Sequence, residues 1–146
     1  MPFINRYKCN KCDFSLHSGY GGYLYVEDDQ GKRISCPHPC ESIVIFEVLG
    51  KKADDKEILK EKIGFNSHCL CFDCLYQFEA DLRDEKNNSY RRFLAQNFGF
   101  NGKEKDKREC PHCMSRNVKT ITESINNSCP KCNKGLIKEI WTGIIS

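Results

Sequence analysis

The chain has 146 residues, 11 cysteines, a formal charge of +3 and 39% hydrophobic residues. That length admits one domain or two very small ones and excludes a large enzyme core. Mean hydropathy is −0.61, no apolar run approaches the ~18 residues of a membrane span, and the start has no apolar signal core, so the expected compartment is the cytoplasm.

In chain order, Tyr7–Phe14 holds the first Cys-x-x-Cys, Cys9 and Cys12. Gly19-Tyr20-Gly21-Gly22 reads as a flexible turn before a strand, Tyr23–Val26. Glu27–Gly31 is a hairpin turn and Lys32–Ser35 the returning strand. Cys36 and Cys40 bracket Pro37-His38-Pro39. The apolar run Ser42–Leu49 predicts a buried strand ended by Gly50. Asp54 with Glu57 three positions on predicts a capped helix with an apolar face of Ile58, Leu59 and Ile63, stopped at Gly64. Cys71 and Cys74 form the second Cys-x-x-Cys, followed by a strand-like stretch, Leu75–Leu82. A second helix is expected within Asp84–Phe98, with Tyr90, Phe93, Leu94 and Phe98 on one stripe packed against the sheet and Gly99 as its stop. The mixed-charge run Gly102–Glu109 reads as a linker, dividing the chain into modules 1–102 and 103–146. Beyond it lie Cys110 and Cys113, an alternating stretch Val118–Glu123, a turn at Asn126-Asn127-Ser128, Cys129 and Cys132, and a last strand, Leu136–Trp141.

An odd number of cysteines argues against a closed disulfide framework, and a reducing compartment would keep such thiols free. Cys-x-x-Cys instead turns two thiolates toward one point, and two such turns supply a tetrahedral zinc with bonds of about 2.3 Å. Zinc then contributes folding energy outright and replaces the core that a short segment lacks.

The order from Cys110 onward, knuckle, strand, turn, knuckle, strand, resembles the zinc ribbon, over roughly residues 108–146. The resemblance implies Cys110, Cys113, Cys129 and Cys132 as ligands of one ion. The N-terminal knuckle at Cys9 and Cys12 is similar to those of zinc ribbons and rubredoxins. Its regular partner is the pair Cys71 and Cys74. A rival set is Cys9, Cys12, Cys36 and Cys40 or His38, and a further ion held by Cys36, His38, Cys40 and Cys69 or His68 stands as a third arrangement. Cys69 fits better as a small buried apolar residue than as a ligand. The expected fold is therefore a small metal-stabilised α+β protein: two zinc-ribbon-like antiparallel β modules with two short inserted helices.

These readings point to a zinc-binding, non-catalytic module holding two zinc ions, acting as a protein-interaction adaptor or small accessory subunit. Residues 103–146 carry 9 Lys and Arg against 5 Asp and Glu, and Lys119, Lys131, Lys134 and Lys138 offer an alternative, nucleic-acid binding by the basic C-terminal segment. Electron transfer with iron in the N-terminal site is a further reading, because four thiolates accept either metal. Hydrolysis is disfavoured: full thiolate shells leave zinc no open position, and no His-Glu-x-x-His, phosphate loop or nucleophile elbow is present.

Overall fold

A computed structural model describes residues 3–82, 88–99 and 104–145. The chain opens with strand β1 (Phe3–Cys9) and continues into a hairpin of β2 (Gly22–Glu27) and β3 (Arg33–Cys36). The hairpin turn follows its sequence: the Asp28 carboxylate accepts from the amides of Gln30 and Lys32, and Gly31 takes φ 78°, a region that glycine enters without strain.

Helix α1 (Glu41–Leu49) follows, where the sequence predicts a buried strand. A short apolar run does not distinguish the two by periodicity. Here Ile45 and Leu49, four apart, enter the core while Ile43 and Phe46 stay 59% exposed. Burial at i and i+4 is a helical pattern. Helix α2 (Lys56–Lys62) is capped by Asp55, which accepts from the amides of Glu57 and Ile58, one residue later than expected. It does not stop at Gly64, which instead lies within the long strand β4 (Ile63–Cys71). There a side chain would collide with the Tyr25 ring and the Asp81 carboxylate. Strand β5 (Gln77–Ala80) covers the middle of the predicted stretch 75–82.

Helix α3 (Ser89–Phe98) is capped by Asn88 and ends at Gly99, φ 73°. Its predicted residues 84–87, and Gly102 and Lys103 of the linker, lie outside the described residues. Of its apolar stripe, Tyr90 and Leu94 are buried, whereas Phe93 is 42% exposed. The stretch predicted to alternate as a strand divides into β6 (Val118–Thr120) and a helical turn, α4 (Ile121–Ser124). Thr120 and Glu123 form a reciprocal capping box at that change, which satisfies two otherwise orphaned amides. The last strand is β7 (Ile137–Ile145). Four α-helices thus stand among the described residues, against the two expected.

The strands form two antiparallel sheets. A five-stranded sheet runs β3-β2-β4-β5, with β6 also paired to β4. Leu24, Val26, Phe65 and Ile63 pack there against Ile45, Leu49, Tyr90 and Leu94. The second sheet is a two-stranded ribbon of β1 and β7, which pairs Cys9 with Ile137 and Lys8 with Lys138. No helix among the described residues is long and apolar enough to cross a membrane.

Candidate metal centres

All four Cys-x-x-Cys segments adopt one local form. The amide of the first cysteine bonds a carbonyl five or six residues on: Cys9 to Phe14, Cys71 to Tyr76, Cys110 to Ser115 and Cys129 to Gly135, at 2.8–2.9 Å. In three of them a residue at positive φ completes the turn, namely Leu75, Met114 and Asn133. Each amide bonds back to the first cysteine's carbonyl. This tight loop aims both sulfurs of a pair to one side.

The pairs then meet in two quartets, Cys9, Cys12, Cys129 and Cys132, and Cys71, Cys74, Cys110 and Cys113. The arrangement is nested, outer pairs together and inner pairs together. It overturns the expected sets, in which Cys9 and Cys12 join Cys71 and Cys74 while Cys110 and Cys113 join Cys129 and Cys132. Strand pairing is the cause. The β1–β7 ribbon carries Cys9 to the start of β7, directly after the Cys129–Cys132 knuckle, while β6 lies along the Cys69–Cys71 end of β4 and brings the Cys110–Cys113 knuckle to Cys71. Each quartet therefore draws its ligands from both sides of residue 102.

The geometry fits a tetrahedral ion. Sulfur–sulfur separations are 3.7 Å for Cys9–Cys132 and Cys12–Cys129, and 3.6 Å for Cys71–Cys113 and Cys74–Cys110. A tetrahedron with 2.3 Å metal–sulfur bonds has edges of about 3.8 Å. At the first centre Gly135 makes the room: a Cβ there would lie 2.6 Å from the Cys9 sulfur. Backbone amides of Lys11 and Cys12 donate to Cys9, that of Phe14 to Cys12, and those of His112 and Cys113 to Cys110. Such bonds favour the thiolate.

Titration follows the same logic. Amides of Lys134 and Gly135 bring the Cys132 thiol down to about 6. At Cys110 desolvation pushes upward, but the amides of Cys113 and His112 outweigh it and leave the thiol at about 7. At Cys12 the Phe14 amide pulls down, yet desolvation and the thiols of Cys9, Cys132 and Cys129 hold it at about 12. Four sulfurs this close do not all ionise without a cation among them. The centres differ in cover: Cys9 and Cys129 are buried and Cys12 and Cys132 partly so, whereas Cys113 of the second centre is exposed.

The remaining candidates stand apart. Cys36, His38 and Cys40 form no metal-sized cluster among the described residues, nor do they approach the first quartet as the rival set requires. Cys36 is buried, with its thiol pushed up to about 12 by desolvation and the Glu41 charge. His38 Nδ1 lies 2.7 Å from the buried Glu41 carboxylate, which also accepts from the Tyr90 hydroxyl. Cys69 is buried and its thiol points to the Ser67 carbonyl. His68 packs on His17 with the rings tilted 42° and their centroids 4.0 Å apart, and His112 stacks on Tyr76.

No protein-family model, curated protein or solved structure matches the chain. The geometry alone therefore carries the functional reading: two four-cysteine clusters compatible with zinc-ribbon-like metal sites, in a small α+β protein.

Proposed function

We propose that the protein is a zinc-binding, non-catalytic module that docks on a protein partner as an adaptor or accessory subunit. The observation that carries this reading is the pair of closed thiolate quartets. Four sulfurs fill a zinc ion's tetrahedron, leaving no position for water or substrate, the pattern of structural sites. Zinc suits a cluster of this shape, and each centre would tie together distant segments. Eleven cysteines with no disulfide among them suit a reducing compartment, the cytoplasm.

The exposed side of α1 supports a protein partner. Ile43 and Phe46 are each 59% exposed, three positions apart and so neighbours on one helix face, and contiguous exposed apolar surface marks contact sites. The test is affinity purification of the full chain from its own cells. Ile43→Ser with Phe46→Ser should lose the protein recovered with wild type while keeping metal content and melting temperature. Recovery of the same protein by the double variant, or of none by wild type, would contradict the docking role.

A further inference from the structure

The β1–β7 ribbon gathers positive charge from opposite ends of the chain. Arg6 and Lys8 on β1, and Lys138 on β7, lie on one face, because Arg6 pairs with Ile140 and Lys8 with Lys138 in register. The opposite face carries Tyr7, Cys9 and Ile137, all buried toward the first metal centre. Lys8 and Lys138 are thus directly opposed like charges, with Cβ atoms about 4.5–5.5 Å apart, a placement that costs stability. Lys11 and Lys134, in the two knuckles of that centre, are exposed and adjoin the same end.

Two simpler roles do not account for this charge. The first is that carboxylates neutralise the patch. Among the described lysines and arginines of the ribbon and its two knuckles, only Lys131 lies within ion-pair distance of a carboxylate, Asp13 at 2.8 Å, and Lys138 reaches the neutral Asn126 amide oxygen. Glu139, in register with Tyr7, belongs to the other face. The second is that the lysines balance a four-thiolate centre, whose charge with a divalent ion is −2. That serves for Lys11 and Lys134 in the knuckles. It does not serve for Arg6, Lys8 and Lys138, which are on the face turned away from the sulfurs.

We infer that this face binds the phosphate backbone of a nucleic-acid duplex. Residues 14–19 hydrogen-bond along the other edge of β1, so the face meets a duplex as a surface against its phosphates, the contacts that position a protein on DNA. Arg6 and Lys8, two residues apart on a strand, are spaced about 6.8 Å along it, so a line of phosphates meets successive cations rather than one. Charge repulsion across Lys8 and Lys138 is relieved when an anion sits between them, which ties the unfavourable pair to binding. The inference goes beyond the protein-docking reading and needs from it only that the first centre is formed.

The test is titration of a fluorescent 20-base-pair DNA duplex with the full, zinc-loaded chain between 50 and 200 mM salt. Three to five phosphate contacts predict a slope of log affinity on log salt between about −2.7 and −4.5, or a loss of roughly 40- to 500-fold across that range. Lys8→Gln should reduce the slope by about 0.9. Lys138→Glu should weaken binding further while holding or raising the melting temperature, since it turns a like pair into an opposite one. A merely structural lysine would not separate those readouts. Lys60→Glu on α2, away from the ribbon, should leave affinity unchanged. The inference fails if there is no binding at 50 mM salt, or if Lys8→Gln and Lys138→Glu bind like wild type. Binding to phosphatidylserine vesicles but not to DNA overturns it in favour of a membrane. Metal content and partner recovery, measured on the same preparations, show whether the docking reading survives.

Discussion

Nested pairing of the knuckles makes paired substitutions give opposite results from sequential pairing. Cys9→Ser with Cys129→Ser damages only the first centre, because both belong to one quartet. Cys110→Ser with Cys129→Ser damages both centres. Sequential pairing reverses this: the second variant would lose one ion and the first both. Zinc binding in small modules contributes about 10–16 kcal/mol of folding free energy near neutral pH, while a whole domain is stable by only about 5–15 kcal/mol. Loss of both centres therefore unfolds the chain. Loss of the first alone releases the β1–β7 ribbon and its cluster of Tyr7, Leu16 and Ile137, and leaves the five-stranded sheet its own core of Leu24, Phe65 and Leu94. The assay is metal per chain after reconstitution in reductant with excess zinc removed, with amide exchange at Leu24, Phe65, Tyr7 and Ile137. The Cys9/Cys129 variant should keep one ion and protected amides at Leu24 and Phe65, with Tyr7 and Ile137 exchanging freely. The Cys110/Cys129 variant should keep none. One ion in the Cys110/Cys129 variant and none in the Cys9/Cys129 variant would refute nested pairing.

Three further outcomes follow from particular residues. Gly135→Ala places a Cβ against the Cys9 sulfur and should weaken metal at the first centre at least tenfold, read by chelator competition, with the second centre unaffected. Because Cys113 is exposed and its first-centre counterparts are covered, limiting thiol reagent should release the second centre's ion first; simultaneous release would contradict the difference in cover. Burial, and secondarily His17, hold His68 down to about 4 from 6.5, so the unfolded state takes up its proton first as pH falls. The stability that neutral His68 supplies is complete above pH 6.5 and is lost on descending toward 4, roughly 3 kcal/mol at most. His68→Gln should flatten the melting temperature in that window relative to wild type, thiolate protonation being common to both; an equal slope would show that His68 titrates normally.

What was legible in the sequence is local. Two cysteines three apart fold one tight turn whatever surrounds them, so all eight residues of the quartets stand out in the chain. The β2–β3 hairpin and the Gly99 end of α3 are likewise set by residues beside them, whereas the Asn88 cap that starts α3 four residues after Asp84 was not legible. Pairing of the knuckles is not local. Closing Cys12 to Cys129, 117 positions apart, costs only about 2 kcal/mol more chain entropy than closing Cys113 to Cys129. That is small against the metal's contribution, so nearness in sequence does not select partners, and the register of β1 with β7 and of β4 with β6 does. Helix α1 misleads for a related reason: an apolar run of β-branched residues shows no period until it is known that Ile43 and Phe46 remain in water. At 118–124 the alternation of Val118, Thr120 and Thr122 masks the Thr120–Glu123 capping box, which ends the strand after three residues. The basic face was only half visible, since Lys138 lies in a basic segment while Arg6 and Lys8 lie in one whose net charge is slightly negative.

The proposed function depends on divalent ions held in the two closed sulfur quartets. X-ray absorption at the metal edge of the full chain, purified without added metal and quantified per chain, tests it most directly. Two zinc ions per chain are expected, each with four sulfur neighbours at about 2.3 Å. A single ion, a third ion, or nitrogen and oxygen neighbours in the first shell would contradict it.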